Sequence, residues 1–441
     1  MISISKNLFV QTLKQYLLQY RSLFKKRSFD VFFWLILAII SVEEVRSIRF
    51  LYEHFIKKYS KKTLNSLYYV LSYIHFPTEE LMKITVGIVV SLIPKYLKDT
   101  TVFLTIDDTL QSKFGKKFDC YYKHFDHTKK SGNSYLNGHC FVSLVINIPL
   151  HYQGKTKILS VPVGYNLYKK DKSKLQIASE MIECCMELLK DFQVILLCDS
   201  WYSKGAIIDT VKKYENLELI AAVRSDTALF DLPPDPTGRR GRPRIRGSKL
   251  DKANFSYEKS GDYYVATKQV MTRLFNQPVY ITVTTTNPNE LTSVRVYIST
   301  INQQAINIFN RDDLKDSNNS FKGSDNLFLR AYGIRWNIEV IFYQQKFFWG
   351  FSNYMVRNEL AIERYVNLIS IGFTLVCVLP FLDQRLKEYQ FQSPQEIKRE
   401  IASYIQKELI ITSFVSFLES SKIYWAIKES ANNYLQGRKI A

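Results

Sequence analysis

Along the chain, the spacing of apolar residues alternates between helical and strand period. Over residues 1–100 they recur at helical spacing. Leu13, Tyr16, Leu17 and Tyr20 share one face, and residues 31–40, 45–59, 63–74 and 78–93 continue as predicted helices, with Thr78 an N-cap and Pro94 near the last helix end. From Thr101 the pattern becomes that of strands. Residues 101–106 are β-rich and run into Asp107-Asp108-Thr109. Residues 138–148 and 157–164 read as further strands, and 174–191 as a helix. Residues 193–198 are a near-continuous apolar run, as a fully buried strand requires, ending at Asp199. A helix over 206–214 and a strand over 219–224 follow. Residues 255–257, 263–271, 279–285 and 293–299 alternate as strands. Helical spacing returns over 332–346, in a core helix bearing Ile362, Val366, Ile369 and Phe373, and from Ser393 onward.

This order predicts an α/β chain in five parts. They are a helical head (1–100), the first part of an α/β core (101–220), a β-rich insertion with a basic loop (221–325), the second part of the core (326–380) and a helical C-terminal region (381–441). An apolar strand ending in a carboxylate sets that group at a sheet edge, where α/β active sites form. Strand alternation sends Asp107 and Asp108 to opposite faces, so only one of them can serve such a site.

The predicted helix over 332–346 carries Tyr332, Arg335, Glu339 and Lys346 at spacings that fall within a sector of roughly 60° at ~100° per residue. Ile334, Ile338 and Ile341 gather opposite, and Trp336 lies at the edge of the polar stripe. One narrow face thus offers a carboxylate suited to a metal beside groups that grip phosphate and stack on bases. An amphipathic helix with i,i+4 ion pairs is the plainer reading of the same spacing.

The spacing Y-x2-R-x3-E-x6-K resembles the Y-R-E-K motif of DDE transposases of the insertion sequence 4 superfamily, bacterial cut-and-paste elements. The resemblance covers roughly residues 100 to 375. It implies an RNase H-like catalytic core interrupted by a mostly β insertion, with Glu339 as third catalytic carboxylate. The first aligns with the aspartate directly before the threonine, Asp108, with Asp107 as the fallback. The second is Asp199, in Cys198-Asp199-Ser200-Trp201-Tyr202-Ser203-Lys204. The three would hold two Mg²⁺ ions, for which Mn²⁺ can substitute. Arg335 and Lys346 would orient phosphate. Tyr332 would stack on or bond a displaced base, a role Trp336 shares with core packing as its alternative. Arg224, in Val223-Arg224-Ser225, would help hold the DNA end. The implied reaction is strand cleavage and strand transfer at terminal inverted repeats and into target DNA, with a hairpin intermediate in one branch, by a homodimer on paired ends. A catalytically silent DNA-binding descendant and an unrelated metal-dependent nuclease are the competing readings.

Charge agrees with a polyanionic partner. The 441 residues carry 60 Lys and Arg against 41 Asp and Glu, a net +19. The loop at 233–252 is rich in arginine. Its Gly241-Arg242-Pro243-Arg244 is like a minor-groove hook, with a solvated loop as the alternative. Lys57-Lys58 and Lys61-Lys62 flank a turn between short helices, as in a helix-turn-helix or a plain bundle with a basic face, and with DNA as the implied substrate residues 1–100 are expected to be a DNA-binding domain. The six cysteines form no C-x2-C pair, so the chain reads as reduced and without structural zinc. His124 and His127 lack cysteine partners at finger spacing. The run at 31–40 is short for a membrane span and 369–386 is interrupted by Pro380, Asp383 and Arg385, so a cytoplasmic protein with no membrane contact is expected; the resemblance adds a bacterial, nucleoid-associated setting.

Overall fold

The computed structural model describes residues 9–97, 101–115, 117–126, 134–235, 244–306 and 326–435. The expectations for His127 and Arg242 lie outside these residues. The chain divides into two compact units. One comprises Met1–Phe76, Phe348–Met355 and Leu375–Ala441, the other Pro77–Phe347 and Val356–Thr374.

The first unit is helical. It contains α1 (Phe9–Leu17), α2 (Lys26–Ser41), α3 (Ile48–Leu51), a π-helical turn (Tyr52–Ile56), α4 (Lys57–Tyr59) and α5 (Leu64–Ser72). Apolar residues surround α2 on nearly every side and are buried, as in a core helix. From the far end of the chain, α12 (Pro394–Ser420) packs on α2 and α1, and α13 (Lys422–Leu435) follows it. Free amides in the first turn of α1 donate to the Glu408 carboxylate, Val10 N at 2.9 Å, so a negative group caps a helix N-terminus. The two chain ends therefore share one unit, whereas the sequence pattern set 1–100 and 381–441 apart. Lys57 pairs with Glu53 at 3.0 Å, and Lys62 lies 3.6 Å from Asp30.

The second unit is mixed α/β. Its strands are β1 (Thr101–Ser112), β2 (Tyr122–Phe125), β3 (Tyr135–Tyr152), β4 (Lys155–Leu167), β5 (Gln193–Cys198), β6 (Leu217–Val223), β7 (Leu229–Phe230), β8 (Lys249–Leu250), β9 (Glu258–Ser260), β10 (Tyr263–Thr272), β11 (Val279–Thr285) and β12 (Arg295–Ser299). Among the described residues they form one sheet in the order β2-β3-β1-β5-β6-β12-β11-β10-β7-β8, with β4 on β3 and β9 on β10. The trio β1, β5 and β6 is parallel, and the other pairings are antiparallel. Helices α7 (Lys174–Met186) and α8 (Ala206–Lys213) precede β5 and β6. A capping box starts α7: Ser173 Oγ accepts from Gln176 N while the Gln176 side chain accepts from Ser173 N. Beyond residue 221 the strands do not build a sheet of their own. Val223 of β6 pairs with Val296 of β12, so the inserted strands extend the sheet that carries the aspartates.

Four further helices contribute to this unit: α6 (Thr78–Val90), α9 (Leu327–Gly333), α10 (Trp336–Phe348) and, as far as Thr374, α11 (Glu359–Leu382). Leu327, Phe328, Ala331 and Ile334 pack on Phe103, Ile195, Leu197 and Ile220, seating α9 against β1, β5 and β6. On α11, the Asn367 side chain completes the pairing of Tyr165 at the β3–β4 bulge, accepting from its N–H at 3.0 Å and donating to its carbonyl at 2.8 Å. Thr78 does not cap α6, which starts after Pro77; its hydroxyl donates to Glu363 at 2.7 Å. Two helices are long and apolar enough to cross a membrane. In α11, 89% of the apolar window is buried within the protein, and in α12 only 11%. Ile410, Ile411, Phe414 and Phe417 of α12 stand exposed.

Candidate active site

The site begins with a strand register. Thr101 of β1 pairs with Gln193 of β5, and Thr105 with Leu197. Continued two residues beyond the paired segment, the same offset sets Asp107 beside Asp199. Burial of 193–198 on both sides explains why β5 lies at the sheet centre and why its first polar residue, Asp199, emerges at its end. Asp199 Oδ1 accepts from the backbone N–H groups of Trp201 at 2.9 Å and Tyr202 at 3.1 Å, turning the chain sharply after the strand.

Asp107 and Asp108 leave β1 on opposite faces and meet different partners. Asp107 Oδ2 accepts from Arg335 Nη1 at 3.0 Å, and Arg335 Nη2 reaches Glu339 Oε1 at 2.5 Å. One guanidinium thus joins the carboxylate of β1 to that of α10. Asp108 is held by Lys174 Nζ, 2.9 Å from each of its oxygens, by the Tyr202 hydroxyl at 2.9 Å and by the Cys140 thiol at 3.2 Å. The aspartate preferred from the sequence, Asp108, therefore does not face Arg335 and Glu339; Asp107 does, and the extended register also sets it beside Asp199. The parallel register decides it, because it aligns Asp199 with Asp107 and so with the face of β1 that Arg335 reaches.

The stretch at 332–346 is two helices rather than one. Gly333, a weak helix former, ends α9, and bonds from Arg335 N to Tyr332 O, Asn337 N to Ile334 O and Ile338 N to Arg335 O tighten the junction to three-residue spacing. That changes the angular offset of Tyr332 from Glu339 but preserves the Arg335–Glu339 pair. Ile334, Ile338 and Ile341 are buried, as their spacing predicts. Tyr332 packs on Tyr297 of β12, ring centroids 4.8 Å apart. Lys346 donates to the Leu110 carbonyl of β1 at 2.8 Å.

Burial, then the neighbouring Asp199 charge, push the Asp107 carboxyl up to about 7; Arg335 opposes the rise and Asp108 adds to it. Burial pulls the Lys346 ammonium down to about 8. Burial works against the Arg335 charge, but Tyr332, Asp107 and Glu339 outweigh it and hold the guanidinium firmly protonated. Crowded carboxylates with only oxygen donors suit a hard divalent cation. Among the described residues no three His, Cys, Asp or Glu side chains converge tightly enough to hold a metal ion. Between Asp107 and Glu339, the positive group in place is Arg335.

Beside the carboxylates lies a cavity of about 550 Å³, lined among others by Arg224, Arg295, Tyr297, Tyr332, Arg335 and Trp336. Trp336 is 53% exposed, so it is a wall of this cavity rather than core. Arg224 is exposed and paired with Asp226 at 2.9 Å. Arg244 is exposed, outside the carboxylate cluster. His124 packs against Tyr122 and Tyr168, and all six cysteines are free thiols.

Sequence reasoning missed Lys174, Cys140 and Arg295. Lys174 reads as the first residue of a helix, and nothing local signals a pairing across 66 positions with Asp108. Tyr202 lies inside the quoted Asp199 segment, where its double bonding to Asp108 and Asp199 had no sequence mark.

A family model described as DDE superfamily endonuclease matches residues 88–273, which supports a DDE-type transposase or endonuclease. The match includes Asp107, Asp108 and Asp199 and ends before Glu339. No curated protein matches the chain.

Proposed function

We propose that the protein is a DNA transposase that cleaves and joins strands at the ends of a mobile element, with Asp107, Asp199 and Glu339 as its catalytic carboxylates. The observation that carries this reading is the continuity from Asp199 through the β1–β5 register to Asp107, and through Arg335 to Glu339. Divalent cations held by these three residues, Mg²⁺ or Mn²⁺, would supply Lewis-acid stabilisation of phosphoryl oxygens and lower the pKa of the attacking water or 3′-hydroxyl. Arg335 neutralises and orients the scissile phosphate once it leaves the carboxylates, with five N–H donors in a planar fork. Lys346 adds a positive charge near the strand end. Tyr332, Trp336 and Arg224, which line one cavity, receive a base and its phosphate. Arg242 and Arg244 contact DNA.

The substrate in this reading is duplex DNA with terminal inverted repeats, the product is joined to target DNA, and two copies of the chain act on paired ends. The insertion sequence 4 assignment, the RNase H-like layout and a hairpin intermediate belong to the same proposal. The test is cleavage of a duplex carrying the element's own end sequence, with wild type and Glu339→Gln at matched DNA occupancy. Cutting at the end by wild type alone supports the reading, and a hairpin product assigns the branch. Binding without cutting by either protein contradicts it.

A further inference from the structure

Tyr202 is fully buried and bonded at both of its polar ends. Its backbone N–H donates to Asp199 Oδ1 at 3.1 Å, and its hydroxyl donates to Asp108 Oδ1 at 2.9 Å. Asp108 in turn is clamped by Lys174 Nζ at 2.9 Å to each oxygen. The same ammonium sits 4.4 Å from the ring centroid of Trp201, whose N–H also holds Asp199 Oδ1 at 2.9 Å. Two adjacent residues of the loop after β5 therefore bind Asp199 by backbone and reach the Asp108–Lys174 pair by side chain.

We propose that Asp108, with Lys174 and Tyr202, is a positioning device that fixes the orientation of Asp199 and through it the affinity of the carboxylate site for divalent metal. This rests on the assignment of Asp107, Asp199 and Glu339 as metal ligands. Asp108 receives four donor contacts, so its lone pairs are committed and it is unsuited to ligate a cation itself. With Asp199 Oδ1 committed to two N–H groups, the loop leaves Oδ2 as the oxygen to offer. Among the described residues nothing donates to it. Partners one step removed from a metal commonly set its affinity by orienting the ligands.

The experiment is Mn²⁺ titration of the full chain by electron paramagnetic resonance, with thermal midpoints measured on the same samples. Tyr202→Phe removes one hydroxyl and leaves the Asp108–Lys174 pair. We expect its Mn²⁺ affinity to fall by about 10–100-fold with little change in thermal midpoint, and cleavage to recover as Mn²⁺ is raised. A role confined to stability would lower the thermal midpoint and leave the Mn²⁺ affinity of the folded protein unchanged. Lys174→Met provides a second break in the same device, with the same expected loss. Unchanged Mn²⁺ affinity in both variants, while Asp107→Asn abolishes binding, overturns this inference alone. Full Mn²⁺ binding by Asp107→Asn together with its loss in Asp108→Asn overturns the ligand assignment on which the inference stands.

Discussion

Arg335 Nη1 lies 3.0 Å from Asp107 Oδ2, and the other arm of the same guanidinium is bonded to Glu339. The arginine occupies the space where two carboxylates of the proposed metal site face each other, and its side chain is only 14% exposed. A cation entering between them must displace it, and a phosphate is the partner that would receive it.

Arg335→Gln should therefore act in opposite directions on two measurements. Mn²⁺ binding without DNA should become tighter, because the competing charge is gone. Cleavage of end DNA should fall by about 10²–10³-fold, the usual loss when a donor to developing charge is removed. Weaker Mn²⁺ binding in the variant would count against the competition.

The Asp107 carboxyl, raised from its ordinary value to about 7 by burial and by Asp199, makes metal binding depend on pH. Below about pH 7 a cation must displace a proton, so affinity should rise with pH by up to about tenfold per unit and level off above it. The sign for stability is the reverse. A carboxyl whose folded pKa lies above its unfolded one adds stability at low pH, and that contribution is lost as pH rises through about 7. With metal chelated, Asp107→Asn should have a higher thermal midpoint than wild type above pH 7, with the difference shrinking toward pH 4. Calorimetry across that range checks it, and an equal midpoint for the two proteins at pH 8 would be the contrary result.

How much of this was legible in the sequence is clearest at four places. The apolar run at 193–198 and its terminal aspartate define β5 and Asp199, because a buried strand has few other ways to end. The choice between Asp107 and Asp108 was not legible. Alternation says only that they part, and which face matters is fixed by pairing with β5, some 90 residues away. The helix at 332–346 was legible as helix, but its break at Gly333 was hidden under an unbroken polar spacing. Of the strands beyond residue 221, those at 263–271, 279–285 and 293–299 were read where they fall, whereas 255–257 is irregular chain ahead of β9, and the two-residue strands β7 and β8 carry too little pattern to be read. That they join the same sheet depends on β12 finding the edge of β6, which no local pattern encodes.

Lys346 is held at 2.8 Å by the Leu110 carbonyl and is pulled down to about 8 by burial. Keeping it charged at neutral pH costs the fold something that only a polyanion repays. Lys346→Met should leave the thermal midpoint equal or higher while weakening DNA binding, and it should reduce the slope of log affinity against log salt by about 1. An unchanged salt slope would remove Lys346 from the DNA surface.

Gly350 follows α10 with φ +68, and a Cβ there would lie 2.1 Å from the Val45 carbonyl oxygen. Both the left-handed backbone and the contact exclude a side chain. Gly350→Ala should destabilise by on the order of 3 kcal/mol from backbone strain and overpacking combined, seen as an earlier midpoint in urea. A variant as stable as wild type would mean that this helix end is built differently.

The most direct test of the central claim is where metal sits when DNA is bound. Anomalous scattering from Mn²⁺ in crystals of the protein with its end duplex locates the ions without reference to activity. The expected result is Mn²⁺ against Asp107, Asp199 and Glu339, with Arg335 moved onto phosphate and Asp108 still bonded to Lys174 and Tyr202. Manganese on Asp108, or Arg335 still joining Asp107 to Glu339 in a complex competent to cut, would contradict the account.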